Sequence, residues 1–240
     1  MECIESFNFQ TGRRVGRRYV VVERLGAGWE GEVYRLVEET TGIDRVAKFY
    51  FPHRNKSGRA AQRYAIRLHR LRDCPIVIQY IYHDWCHFHK ARIEYVVSDY
   101  VEGELLSRIL SRQPGKRFHT FEALHVLLAL ARGIEQVHAR GEYHGDIHTD
   151  NILVRRRGLS FEMKILDFYD LGRSNKEKRF EDVLDMIHVF YEILGGRRHY
   201  ARQPAIVHDV CKGLKRTLIR RLFHNAGDLK RYLEKYGWDG

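Results

Sequence analysis

Two neighbouring stretches carry residue types that chemistry needs. The first reads Tyr143-His144-Gly145-Asp146-Ile147-His148-Thr149-Asp150-Asn151-Ile152-Leu153-Val154, and shortly after it comes Lys164-Ile165-Leu166-Asp167-Phe168. Acidic groups just before and just after a hairpin can converge on one place. There Asp146 would accept a hydroxyl proton, while Asn151 and Asp167 would offer hard oxygens to a divalent cation such as Mg²⁺. Two surface loops using Asp and Asn as turn formers are the plainer reading, and that reading must account for all three residues in this order. Upstream, Leu25-Gly26-Ala27-Gly28-Trp29-Glu30-Gly31-Glu32-Val33 lies between two expected strands. Gly26, Gly28 and Gly31 would let a hairpin lie over a polyphosphate, with backbone N–H groups free to donate to its oxygens. Alone, such a stretch is usually a simple turn, and the strand pattern continuing through Leu36 excludes a helix opening at the third glycine. Arg45-Val46-Ala47-Lys48-Phe49 is the remaining candidate. A lysine in an apolar strand is unusual without a partner. Alternation places Val46 and Lys48 on one face, with Val33 able to face them from the preceding strand. The result would be apolar walls for a purine and an ammonium for phosphates; a lysine snorkelling off a strand edge is the alternative.

Positioning these residues takes two kinds of structure. The first hundred residues read as five strands, Tyr19 to Leu25, Val33 to Val37, Arg45 to Phe51, Val77 to Asp84 and Arg92 to Val97. One basic helix, about 57–71, places Ala61, Ala65, Leu68 and Leu71 on a single stripe. After Val101-Glu102-Gly103 the pattern turns helical. Helices are expected over 121–139, with Thr120 as N-cap and Gly141 as stop, and over 180–194, 205–223 and 226–236. Strands at 151–155 and 161–166 form a hairpin around Arg156-Arg157-Gly158. The expected organisation is an N-terminal extension (1–18), a strand-rich lobe (19–97), a linker (98–103) and a helical lobe (104–240).

Composition narrows the class. The chain has 240 residues, 44% hydrophobic and 30% charged, enough to bury a sizeable core. No run of apolar residues is long enough to cross a bilayer, and Met1 to Gln10, with two glutamates and no apolar core, is not expected to be a secretory signal. Cys3, Cys74, Cys86 and Cys211 lack a framework spacing, which fits free thiols in the cytoplasm. The net charge of +11 favours an anionic partner, acidic protein or nucleic acid, or simply solubility.

Taken together, the motifs resemble the eukaryotic-like protein kinase superfamily, from about Tyr19 to Gly195. Gly26, Gly28, Gly31 and Val33 are similar to its glycine-rich loop and Lys48 to its strand lysine. His144 to Asn151 resembles the H-R-D-x-x-x-x-N catalytic loop, and Asp167-Phe168-Tyr169 resembles D-F-G. Ser98 stands at the gatekeeper place of an interlobe hinge, and Asp182 leads a buried helix that supports the catalytic loop. The resemblance implies an α+β, bilobal protein kinase-like fold: a five-stranded antiparallel sheet with one helix, then a mainly helical lobe. It also implies phosphoryl transfer from ATP with Mg²⁺. The glycine loop and Lys48 would hold phosphates, Asn151 and Asp167 the metal, and Asp146 the acceptor hydroxyl. Val33, Val46 and Leu153 would sandwich adenine, and backbone groups of Asp99 and Val101 would read its edge.

The pattern also departs from the family. Gly145 replaces the Arg of H-R-D, and His148 stands where serine/threonine kinases carry Lys, a combination similar to aminoglycoside phosphotransferases. Tyr169 replaces the D-F-G glycine, the stretch from Asp167 to Phe180 is short, and no A-P-E follows. The helix before Arg72 holds no Glu for Lys48, which leaves Gln62 as the candidate substitute. The expected function is serine/threonine protein phosphorylation. The alternatives are a small-molecule or RNA-directed kinase and a pseudokinase scaffold. Two clusters carry weaker signals. His83, Cys86, His87 and His89 have partial zinc-ligand spacing, but with 14 histidines in the chain a histidine-rich hairpin is the preferred reading. The basic residues Arg59, Arg63, Arg67, Arg70 and Arg72, and Lys212, Lys215, Arg216, Arg220 and Arg221, read as solvated helix faces before they read as anion-binding surfaces.

Overall fold

The computed structural model describes residues 4–157, 160–168 and 172–236; Cys3, Gly158 and Tyr169 lie outside them. The chain divides into two compact units, Met1–Arg72 with Ile78–Val101, and Asp73–Val77 with Glu102–Gly240. The expected antiparallel sheet and helical lobe are both present, which makes the fold α+β.

The first unit is an antiparallel sheet in the order β1-β2-β3-β4-β6-β5. Its strands are β1 (Arg14–Val15), β2 (Tyr19–Ala27), β3 (Gly31–Glu38), β4 (Asp44–Tyr50), β5 (Tyr80–Phe88) and β6 (Ala91–Asp99). The five expected strands all form, and two-residue β1 joins the edge by pairing with Tyr19 and Val20. Register sorts the side chains. Val33 lies opposite Lys48, which lies opposite Val96, and Val46 lies opposite Ser98, so these share one face. Tyr34, Leu36, Ala47, Phe49, Tyr95 and Val97 line the other face and are buried. Phe7 and Phe9 close that second face, packed against Phe49, Phe51, Phe88 and Tyr34 at ring separations of 5.0–6.3 Å. The segment expected as an extension therefore supplies core, each ring contributing about 2–3 kcal/mol of burial. Helix α1 (Arg59–Arg70) starts where the Asn55 side chain accepts the N–H groups of Ala60 and Ala61. Its expected stripe of Ala61, Ala65, Leu68 and Leu71 is buried.

The second unit opens with β7 (Glu104–Leu105), α2 (Leu106–Arg112) and the long α3 (Thr120–Ala139). Strands β8 (Ile152–Arg157) and β9 (Ser160–Ile165) follow and make a small sheet in the order β7-β8-β9. Five helices complete it: α4 (Lys176–Ile193), α5 (Arg197–Tyr200), α6 (Ala205–Cys211), α7 (Arg216–Leu222) and α8 (Ala226–Lys235). The core lies between α3 and α4, where Leu127, Leu130, Ile134, Val183, Ile187 and Phe190 are all buried. Thr120 is not the cap of α3 but its first residue, because its hydroxyl is drawn to Gln203 Oε1, 2.9 Å away. Helix α4 begins four residues earlier than expected because the Asn175 side chain caps Lys178 N–H at 2.9 Å. The expected single helix over 205–223 breaks at Lys212, Gly213 and Leu214, all at positive φ (46°, 61° and 58°). A right-handed helix cannot continue through such a run.

Candidate active site

In the second unit, the sequence around Asp146 is held from beneath by one carboxylate. Asp182, on α4 and wholly buried, accepts from His144 N–H (2.7 Å), Gly145 N–H (2.8 Å) and His138 Nε2 (2.9 Å). His138 accepts Ala226 N–H on Nδ1, which leaves its Nε2 to donate. Gly145 turns at φ +88°, a left-handed conformation that a glycine adopts without strain. His144 is also buried, and burial pushes its imidazole below the ordinary histidine range against the pull of Asp182. The neutral ring donates from Nε2 to Leu166 O (2.8 Å), accepts Asp146 N–H on Nδ1 (3.2 Å) and packs on Phe168 at 4.5 Å. One buried histidine thus ties the Asp146 backbone to the segment leading into Asp167.

Asn151 completes this half. Its Nδ2 donates to Asp146 O (3.0 Å) and reaches Asp146 Oδ2 at 3.4 Å. Its own carbonyl accepts Leu166 N–H (2.8 Å), which holds Asn151 and Asp167 close across the base of the β8–β9 hairpin. Asp167 sits at φ +52°, a conformation costly for a residue with a side chain. The structure therefore brings Asp146, Asn151 and Asp167 together. His148 accepts Asp150 N–H on Nδ1 (3.3 Å), and its Nε2 lies 3.6 Å from Asp146 Oδ2. Leu153 stays partly exposed between buried Ile152 and Val154, packed beside Gly103. A further carboxyl that the sequence did not single out chemically, Asp185, accepts Ile147 N–H at 3.3 Å. Burial raises its pKa to about 6; the Ile147 bond opposes this, and nearby Asp182 and Asp146 add to it.

In the first unit, the glycine-rich turn is tight: Gly28 N–H donates to Gly31 O at 2.9 Å. Gly31 has no alternative, since a Cβ there would lie 1.8 Å from Phe49 O. Gly26 and Gly28 differ, for a Cβ at either would meet nothing within 4 Å, and neither has a positive φ. Lys48 Nζ is 2.9 Å from Glu30 Oε2 and lies 5.4 and 5.2 Å from the rings of Tyr50 and Tyr64. Gln62 is exposed, and the α1 residue facing the lysine is Tyr64. Val33 and Val46 remain partly exposed on the lysine's face, and Ser98 is buried. Asp99 N–H donates to Gln79 O (3.0 Å), and its carboxylate pairs with Arg45 at 2.7 Å. Val101 is partly exposed just beyond.

Residues 19–201 match the family described as Protein kinase domain. The chain belongs to that family. Dual specificity testis-specific protein kinase 1 of Mus musculus is 29% identical over 146 residues, 61% of this chain and 22% of that protein. Smooth muscle myosin light chain kinase of Gallus gallus is 30% identical over 159 residues, 66% of this chain and 8% of that protein. The chain thus spans about a fifth or less of the length of these two relatives. The crystal structure of the Mycobacterium tuberculosis PknI kinase domain has a TM-score of 0.65 at 18% identity, covering 94% of this chain and 97% of that one. That likeness is one of fold.

Elsewhere in this kinase domain the weaker signals resolve plainly. Among the described residues no group of three or more His, Cys, Asp or Glu is placed to hold a metal. His83 pairs with Glu94 at 2.9 Å and His89 forms the β5–β6 turn at φ +51°, so the histidine cluster is a hairpin. Arg67 is buried rather than on a solvated face. Arg216 and Arg220 are engaged by Glu177 and Glu181 of α4, which draws much of that basic helix into ion pairs within its own unit. Among the described helices none is long and apolar enough to cross a membrane.

Proposed function

We propose that this kinase domain transfers the γ-phosphoryl group of ATP to a serine or threonine hydroxyl of a protein, with Mg²⁺ as cofactor, in the cytoplasm. The observation that carries the reading is the buried Asp182–His144 framework, which holds Asp146 and Asn151 in a fixed relation next to Asp167. Catalysis of phosphoryl transfer is mostly positioning and charge neutralisation, and such a framework supplies the first.

The residues present fit both small partners. Gly26 and Gly28 are bare although neither backbone angle nor neighbour requires it, which suits the close approach of a polyphosphate. Asn151 directs its Nδ2 to Asp146, which leaves Oδ1 for a cation alongside the Asp167 carboxylate, and hard oxygens of this kind suit Mg²⁺. When bound, Mg²⁺ supplies neutralisation of the phosphate charge. Lys48 and the glycine-turn N–H groups bind the phosphates. Val33, Val46 and Leu153, each apolar and partly exposed, take the adenine faces, while the Asp99 carbonyl and the Val101 backbone read its edge. Asp146 orients the acceptor hydroxyl and takes its proton as the new O–P bond forms. The bond from phosphorus to the β-phosphate oxygen breaks, and ADP leaves. The His148 Nε2–H steadies the Asp146 carboxylate. The unpaired thiols of Cys74, Cys86 and Cys211 suit a reducing compartment.

A second acceptor class has its own support. Only Phe168 to Asn175 separate Asp167 from α4, a short span on which to build a peptide platform. With Gly145 and His148, this favours a small molecule or RNA as acceptor. Incubation with γ-labelled ATP and Mg²⁺ tests the readings together. Label on protein is expected from the wild type, reduced at least ~100-fold in Asp146→Ala and Asp167→Ala with unchanged melting. Label moving only to metabolites or RNA would replace the acceptor, and no transfer by any preparation would leave a nucleotide-binding scaffold.

A further inference from the structure

A phosphate-binding lysine must be held extended, and α1 brings it no carboxylate: from Lys56 to Arg72 the sequence contains neither Asp nor Glu. The structure places one elsewhere. Glu30, at the tip of the β2–β3 turn, sets Oε2 2.9 Å from Lys48 Nζ, with the two side chains 26% and 11% exposed. The Glu30 backbone is fixed from both sides. Its carbonyl accepts Phe51 N–H at 2.8 Å, and Gly31 is pressed against Phe49 O too closely for any side chain. Its neighbour Trp29 lies under the Arg54 guanidinium, 3.8 Å from the ring centroid. The Tyr50 and Tyr64 rings add electron-rich faces toward the same ammonium.

We propose that Glu30 is the positioning carboxylate for Lys48, supplied by the glycine-rich turn instead of by α1, so that the turn and the lysine move as one body. Its use in turnover rests on the phosphoryl-transfer reading above; the pairing itself does not. A charge-assisted hydrogen bond fixes the ammonium in one place and screens it from reagents, so removing the carboxylate loosens the side chain and opens it to acylation.

Glu30→Gln keeps the shape and removes the charge, and two measurements follow from it. Without nucleotide, acetylation of Lys48 by acetic anhydride is followed by mass spectrometry over a pH series. The variant is expected to label about tenfold faster at neutral pH, as the loss of one charge-assisted hydrogen bond allows, while other lysines keep their rates. With ATP and Mg²⁺, kcat is expected to fall about tenfold with a smaller change in the KM for ATP. The double variant Glu30→Gln/Tyr64→Glu, which returns a carboxylate from α1, should recover most of that loss. Unchanged Lys48 labelling overturns the proposal. Faster turnover or tighter ATP binding in Glu30→Gln also overturns it, because Glu30 would then compete with phosphate for the lysine. If the wild type transfers no phosphoryl group, the labelling measurement still decides the proposal, and the reading that fails is the one in the preceding subsection.

Discussion

Around Asp182 the contacts are buried and directional: three donors converge on one carboxylate, and a neutral histidine links its neighbours through both ring nitrogens. Around Lys48 they are ionic and partly solvated, with a glutamate from a turn and two aromatic faces at more than 5 Å. Under the proposed phosphoryl-transfer reading, the difference matches what each group has to do. A base must be preorganised, so its support is placed where water cannot compete and where a lost partner is costly. A phosphate-binding ammonium must be held in place while keeping donors for an incoming anion, and a partly solvated ion pair does both at small cost.

The contrast can be broken most directly at the buried end. Asp182→Ala strands two backbone N–H groups and His138, and should cost about 3–5 kcal/mol in urea denaturation as well as most of the turnover. A loss below 1 kcal/mol would show that the framework is not preorganised. Phe9→Ala asks whether the first unit has an equally demanding core of its own. It removes a ring packed on Tyr34, Phe49 and Phe88, and about 3 kcal/mol is expected from chemical denaturation.

Asp185 sharpens the comparison through pH. Its carboxyl is raised to about 6, chiefly by burial, so between the unfolded value near 3.8 and about 6 the native protein holds a proton that the unfolded chain has lost. The stabilisation is complete below about 3.8 and disappears as pH rises through 6. Asp185→Asn retains an acceptor for Ile147 N–H, should flatten that decline and should gain up to ~3 kcal/mol at pH 7, read from denaturation series at several pH values. A pH dependence of stability that is the same in Asp185→Asn as in the wild type over this window would contradict it. The smallest effect belongs to the exposed network on Glu177, where Glu177→Ala should leave the melting temperature within error.

What was legible in the sequence follows the same division. The glycine turn, Lys48 and the run from His144 to Asp167 could be read because strand alternation and motif spacing place them, and the register of Val33 against Lys48 follows from the pleat. Gln62 was the wrong partner because helix position alone does not say which face turns toward a strand; Tyr64 faces it instead. Nothing in the sequence points to Glu30, because an acidic residue in a turn looks solvated until the backbone folds it toward the lysine. Phe7 and Phe9 sit in a segment too short for any period to emerge, so their place in the core was not visible. The break at Lys212–Leu214 was signalled only by Gly213, too little to interrupt an otherwise helical pattern.

Segment Asp73–Val77 has a practical consequence for dissecting this protein. The chain leaves the first unit at Arg72, contributes five residues to the second, and returns at Ile78 before crossing for good after Val101. Those five residues bring Ile76 against Gly133, where even a methyl group would collide at 2.4 Å, and supply the carbonyls that receive Ile165 N–H and the Lys164 ammonium. A fragment beginning at Glu102 would leave those donors stranded. The boundary is therefore poor ground for grafting halves between relatives, and a transplant that succeeds will have to carry the pentapeptide along.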